Sequence, residues 1–113
     1  MKVLIVEDEV VNALLFEHYL RELGHEVAGV VATGRGAIAA AEKTSPDAVL
    51  MDINLMDDVD GIDAAAAILE KRAVRIIFAT GYDNAAIRER AAKINPHRYL
   101  VKPLTRKDLE EAL

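Results

Sequence analysis

Five residues of this sequence carry chemistry if they meet: Glu7 and Asp8 in Val-Leu-Ile-Val-Glu-Asp-Glu, Asp52 in Leu-Met-Asp-Ile, Thr80 in Phe-Ala-Thr-Gly, and Lys102 ahead of Pro103. Each ends or follows a short apolar run. Glu7, Asp8 and Asp52 brought together would crowd negative charge into a few ångströms, a repulsion that protonation or a cation must relieve. Hard carboxylate oxygens select a hard ion, and Mg²⁺ is the abundant one. Magnesium keeps several waters, which leaves room for phosphoryl oxygens. Lys102 would supply a mobile point charge and Thr80 a hydroxyl donor. Asp52 is the natural nucleophile, since a carboxylate can form an acyl phosphate. The cation, the lysine and the hydroxyl would then stabilise charge on the transferring group.

Taken singly, each residue has an ordinary reading. An acidic pair after a strand is solvated, a strand-end Asp or Thr caps a helix, and Lys-Pro is a turn. What raises the set above these readings is the order of elements that must position it. Apolar runs at Lys2–Val6, 26–32, 47–51, 74–79 and Arg98–Val101 suit strands buried on both faces, as in a parallel sheet. Amphipathic stretches alternate with them. Residues 9–23 place Asn12, Leu15, Phe16, Tyr19, Leu20 and Leu23 on one stripe, with Gly24 as the stop. Residues 34–43 follow Thr33 as N-cap, 61–71 carry an Ala run, 84–93 follow Asp83 as candidate cap, and 105–113 follow Thr105. Five β–α pairs with right-handed crossovers predict one doubly wound α/β domain over residues 1–113. In such sheets the C-terminal strand ends gather the chemistry, and all five residues lie there.

Composition closes off other classes. The net charge is −5 and no basic stripe offsets it, so a phosphate backbone or an acidic membrane surface would be repelled. No apolar run reaches the ~18 residues a membrane span needs, and the expected location is the cytoplasm. Without cysteine there is neither a disulfide framework nor thiol chemistry. His18, His25 and His97 show no metal spacing. Gly34-Arg35-Gly36 follows the second strand and lacks a later glycine, so it reads as a helix start rather than a phosphate loop.

The chain resembles the receiver domain of two-component response regulators over all 113 residues, on Glu7, Asp8, Asp52, Thr80, Tyr99 in Arg-Tyr-Leu, and Lys102-Pro103. The resemblance implies a flavodoxin-like five-stranded parallel sheet of order 2-1-3-4-5. It implies an aspartyl phosphate at Asp52, and Mg²⁺ on Asp8, Asp52 and the backbone carbonyl of Asn54, with Glu7 holding a metal-bound water. It implies a switch couple of Thr80 and Tyr99, a cis Lys102–Pro103 bond, and signalling through the face of the fourth helix, fifth strand and fifth helix. The phosphoryl donor would be a histidine kinase or a histidine phosphotransfer protein. The chain would be no enzyme beyond catalysing its own phosphorylation and dephosphorylation. Phe78-Ala79-Thr80-Gly81-Tyr82 is similar to the FAT GUY group of single-domain response regulators; the alternative is the receiver of a larger hybrid kinase or regulator.

The sequence also departs from the family pattern. Most receivers carry Pro four residues after the phosphoacceptor and Gly eight after it; here Met56 is fourth and Gly61 is ninth. The loop between them is one residue longer and more acidic. Asp57 and Asp58 are read as solvated turn formers, with a bias on metal affinity as the alternative. Asn54 and Tyr82 flank the approach of a hydrolytic water to Asp52, and the Tyr82 ring is expected to cover it rather than assist. Val10, Val11 and Leu14 lie off the core stripe, an apolar edge on which a kinase helix could dock. Two other function classes fit less well. An aspartate-nucleophile phosphohydrolase needs a second acid where Asn54 stands, and a phosphorylation-dead scaffold would have lost one of Asp8, Asp52, Thr80 or Lys102.

Overall fold

A computed structural model describes all 113 residues. The order is β1 (Lys2–Val6), α1 (Val10–Glu22), β2 (Glu26–Val31), α2 (Gly34–Thr44), β3 (Ala48–Met51), α3 (Gly61–Lys71), β4 (Arg75–Thr80), α4 (Ala85–Ala92), β5 (Arg98–Val101) and α5 (Arg106–Ala112). All strands pair in parallel in the order β2-β1-β3-β4-β5, as expected. Alternation along each strand sorts side chains into two cores. Leu4, Val6, Val49, Met51 and Phe78 pack with α2 and α3 on one face. Val3, Ile5, Leu50 and Ile77 pack with Phe16 and Leu20 of α1 and Leu109 of α5 on the other. Burial on both faces is why β1, β3 and β4 read as unbroken apolar runs.

Caps set the helix starts. Thr33 accepts from the Gly36 N–H, and Thr105 forms a reciprocal capping box with Asp108. The start of α4 differs from the sequence reading: Asn84 is the N-cap, accepting from Ile87 N–H, while Asp83 is engaged by Arg88. In α1 the buried face is Ala13, Phe16 and Leu20, at spacings of three and four. Leu15 falls outside that face and is exposed, because one residue along a helix is a turn of about 100°, which carries it away from Phe16 and the sheet. β4 runs one residue further than the apolar pattern suggests. Thr80 therefore pairs with Val101 inside the ladder.

Candidate functional site

The parallel ladder delivers the chemistry to one edge. Asp52 N–H donates to the Val6 carbonyl at 2.9 Å, Glu7 N–H to Val31 at 2.9 Å, and Lys102 N–H to Thr80 at 2.8 Å. These bonds fix the first residue beyond β3, β1 and β5 in register with its neighbours. Glu7 and Asp52 are buried, Asp8 half-buried, and one carboxylate oxygen from each lies within 4.8 Å of the others. Lys102 Nζ reaches over them, 2.5 Å from Glu7 Oε1 and 3.5 Å from Asp52 Oδ2. The Lys102–Pro103 bond is cis, as the resemblance implies. Glu7 Oε2 also accepts from Glu9 N–H at 3.1 Å. Asp8, Glu9, Asp52, Asn54, Gly81, Tyr82 and Lys102 line a cleft of about 190 Å³.

The electrostatics follow from this crowding. Burial pushes the Asp52 carboxyl up to about 7; Lys102 pulls it down, and Glu7 and Asp8 push it further up. For Lys102, burial opposes the charge, but the Glu7 hydrogen bond and the Asp52 and Glu7 carboxylates outweigh it and hold the ammonium pKa above its usual value. Three carboxylates against one ammonium leave an excess of about two negative charges when all are ionised. Hard oxygen donors with that excess fit a divalent, oxygen-loving cation such as Mg²⁺.

Thr80 and Tyr99 stand apart from the cleft. Thr80 is fully buried, and its hydroxyl is turned onto the Tyr82 backbone, accepting from the N–H at 3.0 Å and donating to the carbonyl at 3.2 Å. Tyr99 is half-buried, edge-on to Phe78 with centroids 6.4 Å apart. Its hydroxyl donates to Asp83 Oδ1 at 3.4 Å, and the Arg88 guanidinium lies 4.6 Å over its ring. Arg88 is itself forked onto Asp83. Sequence reasoning missed this cluster; the five-residue spacing of Asp83 and Arg88 is no recognised helix pair, so no local signal marks it. Tyr82 lines the cleft mouth while most of its side chain faces solvent.

Asp57 and Asp58 sit in the loop bend in contact with solvent, as read, but they also have distant partners that the sequence did not mark: Asp57 accepts from the Gly34 and Arg35 N–H groups, and Asp58 is forked by the Arg35 guanidinium. The N–H groups opening α2 lack intrahelical acceptors, and a carboxylate from a neighbouring loop satisfies them.

This geometry defines a class: a doubly wound α/β domain with an acidic, cation-ready pocket and a lysine at the C-terminal strand ends. The chain belongs to the response regulator receiver domain family, whose model matches residues 3–113. It is 39% identical over 112 residues to the transcriptional regulatory protein PdtaR of Mycobacterium tuberculosis, covering 99% of this chain and 54% of that protein. The chain thus spans about half the length of that curated relative. The signal receiver domain of a modulated diguanylate cyclase from Desulfovibrio desulfuricans superposes with TM-score 0.92 at 35% identity, covering 98% of this chain and 88% of the other. The receiver domain of a sensor histidine kinase from Pseudomonas aeruginosa, described with magnesium coordinated in its active site cleft, gives 0.86 at 36% identity, covering 97% and 91%. No helix of the chain is long and apolar enough to cross a membrane.

Proposed function

We propose that the chain is a phosphoacceptor switch of a two-component phosphorelay, loaded on Asp52 from a phosphohistidine of a histidine kinase or histidine phosphotransfer protein. The observation that carries this reading is the placement of Asp52, buried beside Glu7 and Asp8 with Lys102 Nζ 3.5 Å away. Asp8, Asp52 and the Asn54 carbonyl would hold Mg²⁺, with Glu7 retaining a bound water. Bound there, the cation supplies Lewis-acid charge that keeps Asp52 ionised and neutralises the phosphoryl oxygens. An Asp52 carboxylate oxygen then forms a bond to phosphorus as the phosphorus–nitrogen bond to the donor imidazole breaks. The imidazole leaves with its electron pair, and Asp52 is left as an acyl phosphate. Lys102, swinging from Glu7, pairs with a phosphoryl oxygen. Gly81 leaves the space above open, with nothing within 4 Å of where its Cβ would lie.

Signalling follows from what the phosphoryl group attracts. Its oxygens compete with the Tyr82 backbone for the Thr80 hydroxyl, and the space Thr80 vacates admits the Tyr99 ring. Tyr99 must then leave Asp83 and Arg88, which reshapes the α4–β5–α5 face that meets a downstream protein. The shift is only as large as the differential affinity of the two states for the phosphoryl group. Val10, Val11 and Leu14 are 72%, 76% and 61% exposed, and Val10 and Leu14 line a groove that also contains Glu7 and Asp8, which suits docking of the donor beside the site. Phe78-Ala79-Thr80-Gly81-Tyr82 favours the FAT GUY group of cytoplasmic single-domain regulators. The chain performs no turnover on other molecules; it catalyses only its own loading and hydrolysis. The test is loading with a small phosphodonor and Mg²⁺, followed by intact-protein mass spectrometry. One phosphoryl group is expected on the wild type and none on Asp52→Asn; equal labelling of the variant refutes the assignment.

A further inference from the structure

The loop from 54 to 60 is where this chain departs from its family pattern, and the structure replaces the missing proline with a lateral tether. Its two ends are pinched together. Gly61 N–H donates to the Ile53 carbonyl at 2.8 Å, and a Cβ on Gly61 would lie 2.0 Å from the Asp52 carbonyl oxygen. Between these ends the loop has no proline to stiffen it, and Met56 at its tip is exposed. The tie comes at Asp57. Its Oδ1 accepts from Gly34 N–H at 2.9 Å and its Oδ2 from Arg35 N–H at 3.0 Å. The Arg35 side chain returns to Asp58 at 3.1 and 2.9 Å. Val59 lies directly on Gly34, where a Cβ would come within 2.1 Å of the Val59 carbonyl oxygen.

The first four N–H groups of α2 are thereby satisfied in turn. Gly34 and Arg35 go to Asp57, Gly36 to Thr33 Oγ1, and Ala37 to the Thr33 carbonyl. Two residues share one cap: Thr33 is local, and Asp57 crosses from the loop that carries Asn54. Both Asp57 oxygens accept from the α2 N-terminus, and Asp57 stands outside the Glu7–Asp8–Asp52 carboxylate cluster. We propose that Asp57 is a positioning residue of the cation site, its clasp on the α2 N-terminus holding the loop that presents the Asn54 carbonyl. This rests on the functional reading above, in which that carbonyl is a ligand. Asn54 lies three residues before the clasp and two after Asp52, whose Oδ1 it contacts through its N–H at 3.4 Å. Magnesium tolerates little departure from octahedral geometry, so a loop loosened at Asp57 presents its carbonyl less well. The Arg35–Asp58 pair is exposed on both sides and adds little by comparison.

The test uses the whole chain and Mg²⁺ as the probe, with binding followed by NMR and loop opening by amide hydrogen exchange. Asp57→Ala should weaken Mg²⁺ binding by about tenfold, the lower end of what partners of metal ligands contribute, and speed exchange across 54–59. Asp57→Asn, which keeps one acceptor oxygen, should fall between. Thr33→Ala removes the other half of the same cap without cutting the tether, and should leave Mg²⁺ affinity within about twofold while destabilising α2. Equal affinity in wild type and Asp57→Ala, or equal losses in Asp57→Ala and Thr33→Ala, overturns the positioning role alone. A wild type that binds no Mg²⁺ overturns the functional reading and the positioning role with it.

Discussion

Neutralising Asp52 should stabilise the metal-free fold, and by an amount that depends on pH. The Asp52 pKa rises from 3.8 to about 7 on folding, burial being the main cause. A carboxyl whose pKa rises on folding binds protons more tightly in the folded chain. Its contribution is therefore full below pH 3.8 and is lost as pH climbs through about 7. Three units at about 1.4 kcal/mol each set a ceiling of about 4 kcal/mol on that loss. Asp52→Asn keeps the shape of the side chain and avoids the loss, but gives up the 3.5 Å attraction to Lys102. Lys102 retains Glu7 as partner, so a net gain of about 2 kcal/mol near pH 8 is the expectation. Urea melts followed by far-ultraviolet circular dichroism at several pH values would measure it. The gap between variant and wild type should be smallest near pH 4 and largest at about pH 8. Saturating Mg²⁺ should narrow it by stabilising the wild type only, and Asp8→Ala should abolish that Mg²⁺ effect. A gap that does not change with pH, or a variant less stable than wild type near pH 8, would refute the repulsion argument.

Three further outcomes follow from the geometry. Thr80→Ala should still be loaded on Asp52 but fail to transmit, so NMR shifts on phosphorylation should stay near the cleft and leave α4, β5 and α5 unmoved; shifts reaching that face in the variant would contradict the couple. Tyr82→Ala should lose phosphate faster than wild type while loading changes less, since a shielding effect of ~1 kcal/mol appears as a roughly five-fold rate change; unchanged or slower decay of the acyl phosphate would reject shielding. Gly61→Ala should destabilise the domain by about 1–3 kcal/mol or more, because its Cβ would sit 2.0 Å from the Asp52 carbonyl oxygen, and a urea midpoint equal to wild type would refute that contact.

The parts of this molecule that were legible in its sequence are those with a local or periodic cause. Strands buried on both faces announce themselves as continuous apolar runs, and Thr33 and Thr105 stand where a cap is needed. Glu7, Asp8, Asp52 and Lys102 were readable as a site because parallel topology turns strand ends into neighbours. What was illegible depends on partners far along the chain. Asp57 looks like any acidic turn residue until α2, 23 residues away, presents unpaired N–H groups to it. Asp83 and Asn84 are both competent caps, and only Arg88 and Tyr99, by claiming Asp83, decide between them. The inward or outward position of Tyr99 is likewise a matter of competing contacts, which spacing alone does not carry.

The central claim is that Asp52 is the residue that becomes phosphorylated. The most direct measurement loads the chain with a small phosphodonor and Mg²⁺, reduces the acyl phosphate with borohydride, and locates the reduced residue by peptide mass spectrometry. Reduction converts a phosphorylated aspartate to homoserine, so homoserine is expected at position 52, dependent on Mg²⁺. Homoserine at Asp8, Asp57 or any other aspartate, or none at position 52 in a fully loaded sample, would contradict it.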